Sequence, residues 1–222
     1  MAEPARLTPT STRRVPTQRR SQERLERIAR AAGELCAEVG ADAVTMEGIS
    51  ARAETSIGSL YQFFPNKDAL LHAVAERYVD DLLALLDASD ATDAGDIAGL
   101  PLQTLVDALL EPFVAFHSAH PGYFSILFAP QGGEALRSVR GRLRERLAQR
   151  VERLFQARAP RLDAAKRRRL ALTAVEASRA LMQYIEVSVP RAERRGMREE
   201  LRAMLVAYLG PWMGRSRVAG SG

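Results

Sequence analysis

Residues 55–71 read TSIGSLYQFFPNKDALL and pose a packing problem. Tyr61, Phe63 and Phe64 lie so close together that a single face of one helix cannot bury all three. Gly58 weakens any helix formed here. Pro65 ends that helix, because the residue before a proline disfavours α geometry. A helix this short and weak is stable only when neighbouring helices hold it in place.

The segments before this stretch predict the helices that supply such support. Over residues 21–39 apolar side chains recur every three or four positions, and Gly40 ends this first helix. A second, short helix spans residues 45–53 with Thr45 as its N-cap, and Ser56 caps the third. Two short helices packed across a longer one predict a helix-turn-helix, whose later helix enters the DNA major groove.

The third helix has two faces under this interpretation. Ile57, Leu60 and Phe64 are spaced to face inward. The side chains left facing DNA are Ser56, Ser59, Tyr61, Gln62 and Phe63. Gly58 leaves room for a phosphate or a base edge to approach, and Lys67 adds a cation near the start of a fourth helix. The alternative is that these residues only build a compact helical corner.

The rest of the chain predicts further helices and no sheet. Asn66 caps the fourth helix, whose apolar stripe reaches Leu86, and a polar linker covers residues 87–101. Helical periodicity then covers residues 102–119, 121–129, 133–158, 163–189 and 196–213. Pro112 should kink or split the first of these helices. Because no stretch alternates convincingly with period two, the predicted fold class is all-α.

Charge favours a polyanionic partner. The 222 residues include 32 basic and 27 acidic side chains, which gives a formal net charge of +5. Residues 137–169 alone hold twelve arginines and one lysine against three acidic residues. We interpret that cluster as a solvated helix face whose arginine stems cover apolar surface.

Composition also narrows the class of protein. The single cysteine, Cys36, excludes an internal disulfide framework and lies on the apolar stripe of the first helix, so it is expected in the core. No apolar run is long enough to span a bilayer, and the N-terminal segment lacks the pattern of a secretory signal. We therefore expect a cytoplasmic protein that does not bind membranes.

The downstream helices contain aromatic and sulfur-bearing side chains suited to lining an apolar cavity. The candidate residues are Phe113, Phe116, His117, Tyr123, Phe124, Phe128, Met182 and Tyr184. Bundle ligands commonly sit between helices in this way, although each residue taken alone is more typical of ordinary core. His117 and His120 lack further nearby ligands, so no metal is expected. Neither a catalytic motif nor a cofactor-binding motif is present, which argues against an enzyme.

Residues 24–71 resemble the N-terminal domain of the tetracycline-repressor (TetR) family. The match is carried by SIGSLYQFFPNKDALL at 56–71 and by VTMEGISARA at 44–53. The resemblance implies that Thr45, Tyr61 and Lys67 touch phosphates. It implies a surface at or near the base edges that comprises Ser56, Ile57, Gly58, Ser59 and Gln62. Thr55 and Phe63 complete the expected DNA-binding set.

Two departures from the family pattern bear on this surface. Glu54 and Thr55 stand where a glycine and a small apolar residue commonly form the turn. A left-handed Glu54 would cost about 1 kcal/mol. Phe63 replaces a tyrosine or histidine that often contacts DNA, so a hydrogen bond is lost there.

The resemblance also implies an organisation and a function for the whole chain. Composition predicts a disordered Arg-rich arm at 1–20, and the expected organisation continues with a helix-turn-helix domain at 21–67, an effector-binding and dimerisation domain at 68–213, and a flexible tail at 214–222. The last two helices would pair about a twofold axis. The expected protein is a homodimeric repressor on a palindromic operator, released by an apolar or aromatic small molecule. Ligand-independent regulation or activation is the alternative.

Overall fold

The computed structural model describes residues 14–93, 99–129 and 133–213, and helices are the only regular secondary structure in these ranges beyond a single 3₁₀ residue. This confirms the all-α prediction. The helices are α1 Arg14–Val39, α2 Met46–Arg52, α3 Ile57–Phe63, α4 Lys67–Asp93, α5 Leu102–Ala119, α6 Tyr123–Leu127, α7 Gly133–Arg158, α8 Ala164–Ser188 and α9 Arg194–Met213.

Helix α1 begins earlier than the sequence suggests. Residues 14–20, predicted as part of an unstructured arm, form its first turns. Pro16 falls in the first turn, where its missing N–H would have no helical partner in any case. Gly40 follows the last helical residue in a left-handed conformation, with φ of +82°, as expected of a C-terminal cap. Residues 1–13 and 214–222 lie outside the described ranges.

Side-chain caps fix the starts of the three helices that follow α1. Thr45 Oγ1 accepts from the backbone N–H of Gly48 at 3.0 Å. Ser56 Oγ accepts from the N–H of Ser59 at 3.2 Å. Asn66 Oδ1 accepts from Ala69 at 2.8 Å. The sequence predicts all three caps, because serine, threonine and asparagine satisfy N–H groups that have no intrahelical partner.

Two predicted interruptions are absent from the described helices. Helix α4 continues to Asp93, so residues 87–93 belong to it and not to a linker. Residues 87–93 include two alanines, and alanine favours extension of an existing helix. Helix α5 runs unbroken from Leu102 to Ala119 with Pro112 inside it, so the expected split does not occur. Packing of α5 in the bundle outweighs the loss of one backbone hydrogen bond.

A single hydrophobic core runs from the three N-terminal helices into the larger bundle. Helix α7 packs along α8, α8 along α9, and α9 along α5. Helix α4 packs on α7, while the short α6 contacts both α1 and α4 on one side and α7 and α8 on the other. Helix α6 therefore lies between the N-terminal helices and the bundle. None of the described helices is both long and apolar enough to cross a membrane.

Candidate DNA-binding surface and ligand cavity

Helix α3 has one buried anchor and an exposed outer face. Leu60 is fully buried, whereas Tyr61 is 48% exposed. Ser56, Gly58 and Gln62 are also exposed. The helix thus presents polar and small groups beside one aromatic ring to solvent, an arrangement that suits contact with a nucleic-acid backbone and bases.

Two hydrophobic residues of α3 lie differently from the predicted faces. Ile57, predicted to face inward, is 38% exposed because it opens the first turn, which projects beyond the core. Phe63, predicted to face DNA, is half-buried and packs against the core, with its ring centroid 6.4 Å from that of Phe64. Phe64 is half-buried as well, so both rings pack against the edge of the hydrophobic core.

The turn between α2 and α3 adopts the strained geometry that its sequence implies. Glu54 has φ of +50°, a left-handed value that few side chains adopt. The N–H of Thr55 donates to Ser50 O at 3.0 Å, and Thr55 is half-buried. The turn is therefore set by backbone hydrogen bonds, and it aims the N-terminal end of α3 outward.

Arg24 of α1 contacts helix α3, and the sequence pattern does not predict this contact. Its Nη1 donates to Ser59 Oγ at 2.9 Å, which ties the polar side of α3 to α1. The only signal in the sequence is that Arg24 precedes the buried Ile28 by one helical turn. The remaining guanidinium N–H groups of Arg24 add positive charge beside Ser59.

Lys67 lies against the loop after α1. Its Nζ donates to the carbonyl oxygens of Ala41 at 3.2 Å and Asp42 at 2.9 Å. An ammonium has three N–H groups, so one remains for a phosphate without breaking either contact. Thr45 is similar, because its oxygen caps α2 while its hydroxyl proton stays available.

A cavity of about 550 Å³ lies within the bundle formed by α5–α9, and we call it the bundle cavity. Six of the candidate cavity residues line it: Phe113, His117, Tyr123, Phe124, Phe128 and Met182. The other two do not. Phe116 is buried beneath the wall and stacks on His120 with centroids 3.9 Å apart, and Tyr184 is 53% exposed on the outer side of α8.

Arginines of α7 and α8 also line the bundle cavity, and the sequence pattern does not predict that they do. They are Arg137, Arg140, Arg144, Arg150 and Arg179. Arg150 is only 8% exposed. The interpretation of residues 137–169 as a solvated face is therefore wrong for the inner side of α7. Eight of the twelve arginines lie on α7 and occur on all sides of it, so the sequence does not show which of them point inward.

His117 is a neutral imidazole in the cavity wall. Burial, with the nearby Arg198 and His120, lowers its pKa from 6.5 to about 3. Neither ring nitrogen has a hydrogen-bond partner among the described residues. The ring instead packs between Tyr123 and Phe124, with centroids 4.7 and 4.4 Å away. No group of metal-ligating side chains occurs in this part of the chain or elsewhere in the described ranges.

Two sets of contacts join the cavity walls to the N-terminal helices. Gly33 of α1 and Gly122, which precedes α6, lie so close that a Cβ added at Gly122 would be 2.1 Å from the carbonyl oxygen of Gly33. Tyr78 of α4 donates to Pro121 O at 3.3 Å beside this contact. Across the α4–α7 interface, Arg142 pairs with Glu76 and Asp80, and Arg146 pairs with Asp87 at 3.0 Å.

Comparisons with known families match both parts of the chain. Residues 28–74 match the model of bacterial regulatory proteins of the tetR family, and residues 101–209 match that of the tetracyclin repressor-like C-terminal domain. Among curated proteins, a nucleoid occlusion factor SlmA from Glaesserella parasuis is 32% identical over 95 residues. That alignment covers 43% of this chain, and the chain spans only 44% of that relative.

Solved structures extend the likeness over most of the chain. A TetR-family transcriptional regulator from Streptomyces coelicolor is 31% identical, with a TM-score of 0.58 over 85% of this chain and 99% of that one. A TetR-like transcriptional regulator from Rhodococcus sp. RHA1 is 20% identical and has a TM-score of 0.63 over 88% and 97% of the two chains. The second likeness concerns the fold alone.

Proposed function

The chain belongs to the TetR family of bacterial regulatory proteins, and from that premise we propose a dimeric repressor that a small molecule releases from a palindromic operator. The observation that carries this proposal is the continuity of one core between two features. These are the exposed outer face of α3 and the bundle cavity of about 550 Å³. A change of shape at the cavity can reach α3 without crossing a flexible linker.

DNA contact is proposed for the exposed groups at the N-terminal end and outer face of α3. Ser56, Gly58 and Gln62 would approach base edges, while Tyr61 and the third N–H of Lys67 would bind phosphates. Ile57, exposed in the first turn, would add an apolar contact of the kind that thymine methyl groups accept. Phe63 has a smaller part, since it is half-buried against the core.

Coupling between cavity and DNA is proposed to pass through α4 and α6. The residue pair Gly33 and Gly122 fixes α6 against α1, and the Arg142 and Arg146 ion pairs fix α7 against α4. A ligand that spreads α6 and α7 would shift both contacts and alter the spacing of the two α3 helices in a dimer. The ligand must bind one spacing more tightly than the other, or it changes nothing.

Dimerisation is proposed to use the outer faces of α8 and α9. Tyr184 and Val187 of α8 are 53% and 59% exposed, and Met204 and Trp212 of α9 are 41% and 38% exposed. Exposed apolar side chains grouped on two adjacent helices are typical of a protein interface. Pairing two such faces about a twofold axis gives a four-helix contact and two recognition helices that can span successive major grooves.

The test begins with genomic footprinting, which identifies the operator. Transcript levels in a strain that lacks the gene then show whether the protein represses or activates. Binding to that operator is then measured for Tyr61→Phe and Lys67→Gln. Tyr61→Phe should weaken binding about fivefold by removing one phosphate hydrogen bond, worth about 1 kcal/mol. Lys67→Gln should reduce the slope of log affinity against log salt by about 1.

Thr104→Val is the matched control, because Thr104 is exposed on α5, outside both α3 and the proposed dimer face, and the change likewise removes one hydroxyl group. Its operator affinity should equal that of the wild-type protein. Unchanged binding by both Tyr61→Phe and Lys67→Gln would contradict the assigned surface. Operator occupancy that no compound can reverse would contradict release by a ligand while leaving DNA binding intact.

A further inference from the structure

We infer that the bundle cavity takes an organic acid, with an apolar body in its interior and a carboxylate held by the arginines of α7 and α8. This rests on the proposed function in one respect, namely that the cavity is the effector site. It goes beyond that function by assigning the chemical class of the ligand.

The cavity side of α7 changes from arginine-rich to mainly apolar along its length. Besides Arg150, which lies in the second half of the helix, Arg137, Arg140 and Arg144 line the cavity from the first half, followed by Leu147 and Val151 from the second. These positions are three or four residues apart, so they share one face. At about 1.5 Å per residue, the face extends for roughly 21 Å. The cavity therefore has a positive end, where three arginines lie one helical turn apart, and an end that is mainly apolar apart from Arg150.

Two contacts locate the positive end beside α6. Arg140 Nη1 donates to Leu127 O at 3.0 Å, and the Arg179 guanidinium lies 4.9 Å from the ring centre of Phe128. Since Leu127 and Phe128 are adjacent, the two guanidinium groups belong to the same end of the cavity. Each guanidinium has five N–H donors, and planar forks of this kind suit the two oxygens of a carboxylate.

The mainly apolar end of the cavity lies where the end of α7 meets the start of α5 and the end of α9. Arg158, near the end of α7, donates to Leu100 O at 2.6 Å and to Met213 O at 3.3 Å. These bonds bring together the end of α7, the beginning of α5 and the end of α9. The side chains that line the cavity in this region include Leu105, Leu209 and Met213. The interior there suits a hydrocarbon or an aromatic ring.

The charge of the wall favours an anion. Glu176 is the one acidic residue among the lining side chains, and it already accepts a hydrogen bond from Arg179 Nε at 2.8 Å. Arg137, Arg140 and Arg144 form no ion pair with an acidic side chain in the ranges that the structure describes. His117 is neutral and contributes no charge. Arg140 is half-buried, and a partly buried guanidinium group without a carboxylate is unfavourable, so an acidic ligand would supply the missing partner.

Two matched sets of compounds test the head group directly. Binding to the full-length protein is measured by calorimetry for decanoate, decanol and decylammonium, and for naphthoate, naphthol and naphthylmethylammonium, below the concentrations at which they self-associate. In at least one set the carboxylate should bind about tenfold more tightly than the neutral compound, equivalent to about 1.4 kcal/mol. The ammonium compound should bind most weakly.

Variants of the positive end test the assigned residues. Arg140→Gln and Arg179→Gln should each reduce the affinity for the preferred carboxylate at least about fivefold and leave that for its neutral partner unchanged. Arg140→Lys, which retains the charge, should restore part of the difference. Arg169→Gln is the matched control, because Arg169 is exposed on α8 and does not line the cavity.

Several outcomes would overturn the inference. They are equal or tighter binding of the neutral or ammonium compound in both sets, no binding by any of the six compounds, and an equal loss in Arg169→Gln. Failure of the proposed function is seen separately. Carboxylate binding by a protein that has no operator would contradict repression and retain the acid site. Release from DNA by an uncharged compound alone would contradict the acid site and retain repression.

Discussion

At Gly58, helix stability and the proposed DNA contact make opposite demands on the residue. A Cβ added there would meet no atom within 4 Å, so no packing in the protein requires glycine. Gly58→Ala should raise the free energy of unfolding by up to about 1 kcal/mol, the difference in helix propensity. Operator affinity should fall, because the added methyl group would occupy the space proposed for DNA. Chemical denaturation and fluorescence anisotropy with labelled operator measure the two effects.

Gly196→Ala separates helix propensity from DNA contact. Gly196 lies in the first turn of α9, and a Cβ there also meets no atom within 4 Å. This variant should gain similar stability and bind the operator as the wild-type protein does. An operator affinity for Gly58→Ala as high as that for Gly196→Ala would mean that DNA does not approach α3 at this position.

His117 should make the protein sensitive to acid. Its pKa in the folded protein is about 3, against 6.5 for an unperturbed histidine, so below pH 6.5 the unfolded chain takes up a proton that the folded one does not. The stabilisation is therefore complete above about pH 6.5 and is lost as the pH falls towards 3, by up to about 1.4 kcal/mol per pH unit. His117→Phe should flatten the dependence of unfolding free energy on pH between these limits. An equal slope in the wild-type and His117→Phe proteins would contradict the assignment.

At the scale of elements, the junction between α1 and α6 depends on two glycines in contact. Gly122 has φ of +80°, and its missing Cβ would lie 2.1 Å from the carbonyl oxygen of Gly33. Gly122→Ala must therefore strain the backbone and separate the helices. It should lower the free energy of unfolding by about 2 kcal/mol or more. It should also weaken the dependence of operator binding on ligand, because α6 would no longer be fixed to α1.

Gly133→Ala isolates the conformational part of that cost. Gly133 also has positive φ, +56°, but a Cβ there meets no atom within 4 Å. Its loss of stability should be about 1 kcal/mol, the cost of a left-handed alanine. Denaturation curves of the two variants provide the comparison. Equal losses would show that the contact with Gly33 contributes nothing.

Helix starts and core faces could be predicted from the sequence because each depends on local chemistry. Thr45, Ser56 and Asn66 accept hydrogen bonds from N–H groups only three residues away, so their effect is visible in the sequence itself. The left-handed conformation of Glu54 was implied by the family resemblance, because Glu54 stands where a glycine commonly forms the turn. Most long helices could also be bounded closely, since their apolar residues recur with the helical period.

Side-chain placement at helix ends and on the arginine-rich helix could not be predicted in the same way. Ile57 has the spacing of an inward residue, yet it lies in the first turn and beyond the core. The ammonium of Lys67 is held by two carbonyl groups contributed by a loop about 25 residues earlier in the chain. On α7 the arginines occur on every side, so periodicity does not distinguish Arg140, which lines the cavity, from Arg142, which pairs with α4.

For the whole molecule, one shared core implies cooperative unfolding of the N-terminal helices and the bundle. Leu70 and Val79 of α4 are fully or almost fully buried, and the same core includes Ile28 of α1 and Leu105 of α5. A ligand that stabilises the bundle should for this reason also protect the helix-turn-helix from unfolding. Mechanical continuity of this kind is what allows a cavity to affect a distant DNA-binding surface.

Dimerisation is the remaining property of the whole molecule, and a charge on the outer face of α8 tests it. Val187 is 59% exposed in the single chain, so Val187→Glu should not disturb its fold. In a dimer joined through α8 and α9, the carboxylate would lose water without gaining a partner, which costs several kcal/mol. Light scattering should then give the mass of a monomer, and operator affinity should fall because one recognition helix is lost from each complex. Val39→Glu, at an α1 residue that is 55% exposed, should remain dimeric. A dimeric Val187→Glu protein would place the interface elsewhere.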